Sequence, residues 1–191
     1  MIILIRHATP QIEYGKCDYK VARTRLVDYN ETKEVNVAEI DAIFKKIPWL
    51  ETQPNNFTAF ISKLPRALST AEHVSGYLDF KKEYSYLYKE FDAHIIKLPF
   101  VKLKVRTWFL ISRVAWFFGF KAGTRSFKSE RERAYQCAGQ LQELIAKGKS
   151  PILVAHGLFN YFVARKLKKN GWKICEFHKQ GCFEVSQLKK V

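Results

Sequence analysis

Residues 2–5 form a fully apolar run, residues 57–61 repeat it apart from Thr58, and residues 152–155 give a third, introduced by Pro151. Runs this short, apolar throughout and not alternating, predict strands covered on both faces by helices. Residues 84–88 and 182–188 are two further strand candidates. Between these runs the apolar positions recur at helical spacing. Asn36-x-x-Glu39 reads as a capping box ahead of Ile40, Ile43, Phe44 and Ile47, with Pro48 ending the pattern. Residues 66–78 place Ala67, Thr70, Ala71, Val74 and Leu78 on one stripe. Ser129-x-x-Glu132 gives a second capping box, followed by Ala134, Cys137, Leu141, Leu144 and Ile145, and a helix over 158–167 is closed by Asn170-Gly171. Strands alternating with helices predict an α/β fold, a three-layer α/β/α sandwich with a mostly parallel central sheet. In such sheets functional residues collect on the loops leaving the carboxyl ends of the strands.

At 191 residues the chain is expected to form a single domain. Its 33 basic residues outnumber 18 acids, a net charge of +15, which points to an anionic partner or substrate. No recognised nucleic-acid-binding motif accompanies the charge, so nucleic acid is not the expected partner. Cys17, Cys137, Cys175 and Cys182 form no Cys-x-x-Cys pair, and no histidine or carboxylate cluster has ligand spacing. Reduced thiols, no metal, no cofactor and a cytoplasmic location are the expectation. The apolar run at 2–5 is too short for a signal peptide. Residues 108–120 are split by Arg113 and fall short of the ~20 residues that span a bilayer.

Three strand ends carry chemistry. The first candidate strand runs into Arg6-His7, the second into Ser62-Lys63-Leu64-Pro65-Arg66, and the third into His156-Gly157. Were these strands parallel neighbours, two arginines and two histidines would converge at one sheet edge. Guanidinium forks match phosphate oxygens and stay charged at any relevant pH. A neutral imidazole is a competent nucleophile toward phosphorus, and a second can donate to a phosphoryl oxygen. The helix opening at Gly157 adds backbone N–H groups and a positive dipole end.

The same residues carry a resemblance. Arg6-His7-Ala8 after an apolar strand, Ser62-Lys63-Leu64-Pro65-Arg66-Ala67-Leu68-Ser69-Thr70-Ala71, and His156-Gly157 after a third strand resemble, in order and rough spacing, the motifs of the histidine phosphatase superfamily, the phosphoglycerate-mutase-like group. The resemblance covers nearly the whole chain apart from about 94–128. It implies that His7 is the nucleophile that becomes a phosphohistidine. Arg6, Arg66 and His156 would clamp the transferring phosphoryl group, and Gly157 and Thr9 fall in the phosphate-binding set. The leaving alkoxide needs a proton, and the family's acid aligns with Glu90, with Asp92 as the alternative. The implied activity is that of a metal-independent phosphatase, a phosphoric monoester hydrolase acting on a small phosphorylated, anionic substrate. A phosphoglycerate-mutase-like phosphoryl transferase and a non-catalytic anion- or protein-binding relative are the alternatives.

The chain departs from the family pattern at Ala8, where glycine is usual, and at Thr9-Pro10 and Glu13, so substrate identity is not inherited. Gly15-x-x-Asp18 echoes a family loop or is an ordinary turn. Residues 93–129 contain no acid but eight basic residues, interleaved with Trp108, Phe109, Trp116, Phe117, Phe118 and Phe120. In the family a lid over the site is inserted here, and a lid insertion about 94–128 would draw in anionic groups beyond the scissile phosphate. A helical hairpin with its aromatics in the core and an amphipathic segment contacting a membrane surface are the other readings. Of the remaining histidines, His94 is the one placed to line a pocket; His73 reads as a helix-surface residue and nothing marks His178.

Overall fold

The computed structural model describes residues 1–47, 57–92, 94–120 and 125–191. The expected helix stop at Pro48 lies outside them, as does Lys121 of the basic segment. The central sheet contains β1 (Ile2–Arg6), β3 (Phe57–Ser62), β4 (Phe80–Ser85), β6 (Ser150–Ala155), β7 (Trp172–Gln180) and β8 (Phe183–Lys190), in the order β4-β3-β6-β1-β8-β7. The first four are mutually parallel, and β8 and β7 add an antiparallel hairpin at one edge. A second, two-stranded ribbon pairs β2 (Lys16–Cys17) with β5 (Leu103–Lys104).

Helices cover both faces of the large sheet, which is why its inner strands read as unbroken apolar runs. Ile3, Ile5, Ala59, Ile61, Ile152 and Val154 face α2 (Ala38–Phe44) and α3 (Pro65–Val74). Ile2, Leu4, Phe60, Leu153 and Ala155 point the other way, toward α5 (Phe127–Ala146) and α6 (Gly157–Lys169). A third apolar cluster, containing Cys17, Ala22, Val105 and Trp108, joins α1 (Tyr19–Glu31) to α4 (Val105–Phe117). There the Trp108 indole donates to the Cys17 carbonyl at 2.9 Å. All four cysteines are free thiols.

Several expected elements move. The strand expected over 84–88 is instead β4, ending at Ser85. The Ser85 hydroxyl accepts the Leu87 N–H and turns the chain into a 3-10 turn, Tyr86–Tyr88. Neither capping box forms. Glu39 is buried and spends its carboxylate on tertiary bonds, and the second helix starts three residues earlier, capped by the Ser126 hydroxyl. The Asn170-Gly171 stop is present, with Gly171 at φ +85°. Asp18 caps α1 by accepting the Lys20 and Val21 N–H groups, which gives the Gly15-x-x-Asp18 loop a local role. Among the described residues no helix is long and apolar enough to cross a membrane.

Candidate active site

The register of the sheet brings the three strand ends level. Arg6 pairs with Ala155 and Ile61 with Val154, so Arg6, Ser62 and Ala155 finish at one height. His7 continues β1 by one residue, its N–H bonding the Ala155 carbonyl at 3.1 Å, and His156 follows from the neighbouring strand. The two imidazoles lie with ring centroids 5.1 Å apart. Arg66 enters from the first turn of α3, which Pro65 and extended Leu64 start directly after β3. Its Nε donates to His7 Nε2 at 3.2 Å, and its Nη1 reaches the Tyr29 carbonyl and Asn30 Oδ1, each at 3.1 Å.

The contacts of His7 fix its tautomer. Nδ1 lies 2.8 Å from the Ala8 carbonyl, which can only accept, so Nδ1 carries the proton and Nε2 presents its lone pair toward Arg66. Burial, then the Arg66 charge, hold the His7 pKa well below the usual imidazole value. Burial does the same to His156, assisted by Arg66, His7 and Arg6. Both rings are therefore neutral at neutral pH. His156 Nε2 is 2.8 Å from the Ser62 hydroxyl, while its buried Nδ1 has no partner among the described residues.

Thr70 ties the two arms of the site together. Its hydroxyl accepts the Ala8 N–H at 3.1 Å and donates to the Arg66 carbonyl at 2.7 Å. Ala8 is fully buried and does not have a positive φ, so a methyl replaces the usual glycine hydrogen without backbone strain. Gly157 has a different constraint: a Cβ there would stand 2.9 Å from Arg6 Nε, so any other residue would displace the guanidinium from its place against the helix start.

Arg6, Arg66 and Gly157 form part of the wall of a cavity of about 570 Å³. Lys89, Glu90, Asp92 and His94 line a second side, and Tyr29, Phe109 and Arg113 a third. His7 and His156 sit buried beneath, with the Tyr29 hydroxyl 3.4 Å from His7 Nε2. Glu90 and Asp92, two residues apart, thus face the same cavity, but they are held differently. Glu90 Oε1 accepts the Phe91 N–H, with Arg113 Nη2 3.8 Å from Oε2, whereas Asp92 is paired with Lys89 at 2.9 Å. The carbonyls around Glu90 are gripped from both sides: Arg133 donates to those of Leu87 and Lys89, and Arg113 to that of Phe91.

These parallel strands, helix-covered faces and convergent strand ends recur in solved structures. The protein of the Mycobacterium tuberculosis open reading frame Rv3214 superposes with a TM-score of 0.57 at 15% identity, over 98% of this chain and 94% of that one. A putative alpha-ribazole-5'-P phosphatase from Escherichia coli gives 0.54 at 16% identity, over 100% and 95%. The mycobacterial glucosyl-3-phosphoglycerate phosphatase Rv2419c gives 0.52 at 16% identity, over 88% and 79%. The fold is that of the histidine phosphatases. No protein-family model and no curated protein matches the sequence.

Within this fold, Arg6, His7, Arg66, His156 and Gly157 come together, and Glu90 and Asp92 line the same cavity as Arg6, Arg66 and Gly157. Thr9 does not reach the cavity. Its hydroxyl accepts the Cys182 N–H at 3.0 Å and its N–H bonds Glu39 at 2.9 Å, so it fastens the loop after His7 to the β7–β8 turn. His73 instead bonds Asp41 on the far helices, and His178 lies beside Glu176. Sequence reasoning passed over Tyr29 and Asn30 on α1 and the bonds of Ser62 and Thr70, and it read Arg113 on α4 only as one cation of the basic segment. Ser62 and Thr70 stand inside the motif quoted from the sequence, and the Asp18 cap was the available signal for α1. Among the described residues no cluster of three His, Cys, Asp or Glu side chains could hold a metal ion.

Proposed function

We propose that the protein is a phosphatase that hydrolyses a small phosphate monoester through a phosphohistidine at His7. The observation that carries this reading is the meeting of Arg6, His7, Arg66 and His156 at the ends of β1, β3 and β6, the two arginines lining one cavity with Glu90 and the two histidines buried against them. The His7 Nε2 lone pair attacks phosphorus, the ester P–O bond breaks, and the leaving alkoxide takes a proton from the Glu90 carboxyl. Water then attacks the phosphohistidine, Glu90 removes its proton, and the N–P bond breaks to restore His7 and release phosphate. Arg6, Arg66 and the His156 ring offset the negative charge spread over the phosphoryl oxygens, which is the main demand of this reaction. Neutrality of His7 supports its role, because a protonated imidazole has no lone pair to give. The anchored tautomer supports it as well, since it leaves Nε2 as the attacking atom. The fold shared with named phosphatases agrees with the reading.

The domain is read as a single unit in which residues 94–128 serve as a basic, aromatic lid, with Phe109 and Arg113 on its cavity side. The test is turnover of an aryl phosphate in EDTA. The expected outcome is metal-independent hydrolysis, reduced on the order of a thousandfold or more in His7→Ala, with acid-labile phosphate on the wild type alone. An inactive wild type across a panel of phosphorylated metabolites would point to a binding module. Phosphoryl transfer to a second hydroxyl rather than to water would point to a mutase.

A further inference from the structure

Helix α4 is apolar on two sides: Val105, Trp108 and Trp116 are buried against the fold, and a second apolar face is open. Its outward positions are Leu110, 63% exposed, Val114, 46%, and Phe117, 45%, spaced by four and three residues along one face. Phe118 and Phe120, 81% and 68% exposed, extend that face beyond the helix end. Two of its polar side chains point inward, while Arg106 opens the outer face four residues before Leu110. Ser112 is buried and accepts the Ile96 N–H, and Arg113 turns in to the Phe91 carbonyl and Glu90. A helix at a water-facing surface normally keeps that outer face polar.

Cations bracket the apolar face. Lys97, Lys102, Lys104 and Arg106 precede it, Arg125 and Lys128 follow it, and all six are exposed. None of the four lysines has an ion pair among the described residues. Lys104, the residue just before α4, lies directly across the β2–β5 ribbon from exposed Lys16. Like charges facing each other in a ribbon repel, and an external anion relieves that repulsion. The sequence has no acid anywhere from 93 to 129.

We propose that the outer face of α4 docks on an anionic lipid bilayer. An aliphatic and aromatic stripe flanked at both ends by lysine and arginine is the arrangement of a helix lying in a membrane interface. There the stripe enters the acyl boundary and the cations meet the headgroups. A second copy of the chain would bring another net charge of +15 to the contact. A nucleic acid would need cations along the middle of the contact face, where this helix carries Leu110 and Val114. Because Phe109 and Arg113 of the same helix line the cavity, docking sets the cavity within roughly one helix diameter, about 10 Å, of the headgroups.

The test is partitioning of the full chain onto extruded vesicles, one set phosphatidylcholine alone and one set phosphatidylcholine with phosphatidylserine. The expected result is salt-sensitive binding to the mixed vesicles alone. The triple variant K97Q/K102Q/K104Q lowers the partition coefficient on the order of a hundredfold. L110S/F118S/F120S, at the most exposed positions of that face, lowers it about tenfold or more while its melting temperature stays at the wild-type value. Failure of the wild type to bind the mixed vesicles overturns the proposal, as does binding that both variants retain in full. It is equally overturned if the apolar variant instead abolishes a dimer seen by light scattering or a complex with single-stranded RNA. The assay reads no turnover, so its outcome is independent of the catalytic reading.

Discussion

The floor of the cavity is sheet and the opposite side is helix, and the two are fixed by different forces. On the floor, His7, Arg66 and His156 are fully buried and each is held by hydrogen bonds: His7 to the adjacent Ala8 carbonyl and to Arg66, Arg66 to Tyr29 and Asn30, His156 to Ser62. The helical side adds ring contacts to the hydrogen bonds of Arg113 and Arg133. Tyr29 stacks over the Arg66 guanidinium at 4.5 Å and meets Phe109 edge-on at 5.3 Å. A parallel sheet orders strand ends without help from the substrate, so charge-stabilising groups belong there. Aromatic packing tolerates a change of partner at little cost, so the helical side is where one substrate can be exchanged for another.

If that division holds, substitutions on the floor remove turnover for every substrate. Arg66→Lys keeps the charge but loses the planar fork and the Nε bond to His7. Its kcat/KM is expected to fall on the order of a hundredfold to a thousandfold for aryl and alkyl phosphates alike. A fall confined to one substrate would break the comparison. Glu90→Gln sharpens it. An alkyl ester, whose leaving group needs the proton, is expected to lose about a hundredfold, an aryl ester much less, and Asp92→Asn is expected to stay within about threefold of wild type. The reverse ranking would make Asp92 the acid.

On the helical side, K102E/K104E/R106E is expected to raise KM about tenfold for substrates carrying several anionic groups and to leave the aryl ester nearly unchanged. Equal effects on both substrates would deny the lid a part in selection. The smallest effect is on stability. Burial depresses the pKa of both His7 and His156, so the unfolded chain binds protons that the folded protein refuses. Stability from these two groups is complete above the ordinary imidazole value of about 6.5 and drains away as the pH falls below it. Melting temperature should therefore drop by a few degrees on acidification from about pH 7 to pH 5, and by less in His7→Asn/His156→Asn.

The floor was legible in the sequence because parallel strands covered on both faces are continuous apolar runs, and the chemistry follows each run immediately: Arg6-His7, Ser62 to Arg66, His156-Gly157. The helical side was not. In α1 the one fully buried residue is Ala22, so its apolar stripe is weak, and Tyr29 acquires meaning only by lying against Arg66 from a distant helix. Strand β7 alternates exposed and covered positions with lysines on the open side, a pattern too faint to separate from loop. Glu39 shows how local letters mislead. The N–H groups of Thr9, Cys182 and Phe183 all need an acceptor where the β7–β8 turn meets the loop after His7, and that demand outweighs the helix cap the spacing suggests. Thr9 is drawn into the same junction, which is why it is absent from the cavity wall.

Strand β1 lies between β6 and β8, with Arg6 meeting Glu184 across 178 residues of chain. The strand that leaves the ribosome ahead of every other element in the sheet therefore waits, both edges open, for β6, translated just before α6, and for β8, translated after it. At ordinary elongation speeds of roughly 5–20 residues per second, that is an interval on the order of ten seconds or more. During it Ile2 to Ile5 are exposed to any chaperone or sticky neighbour, and a nascent chain halted before β8 carries Arg6 and His7 on an unfinished edge.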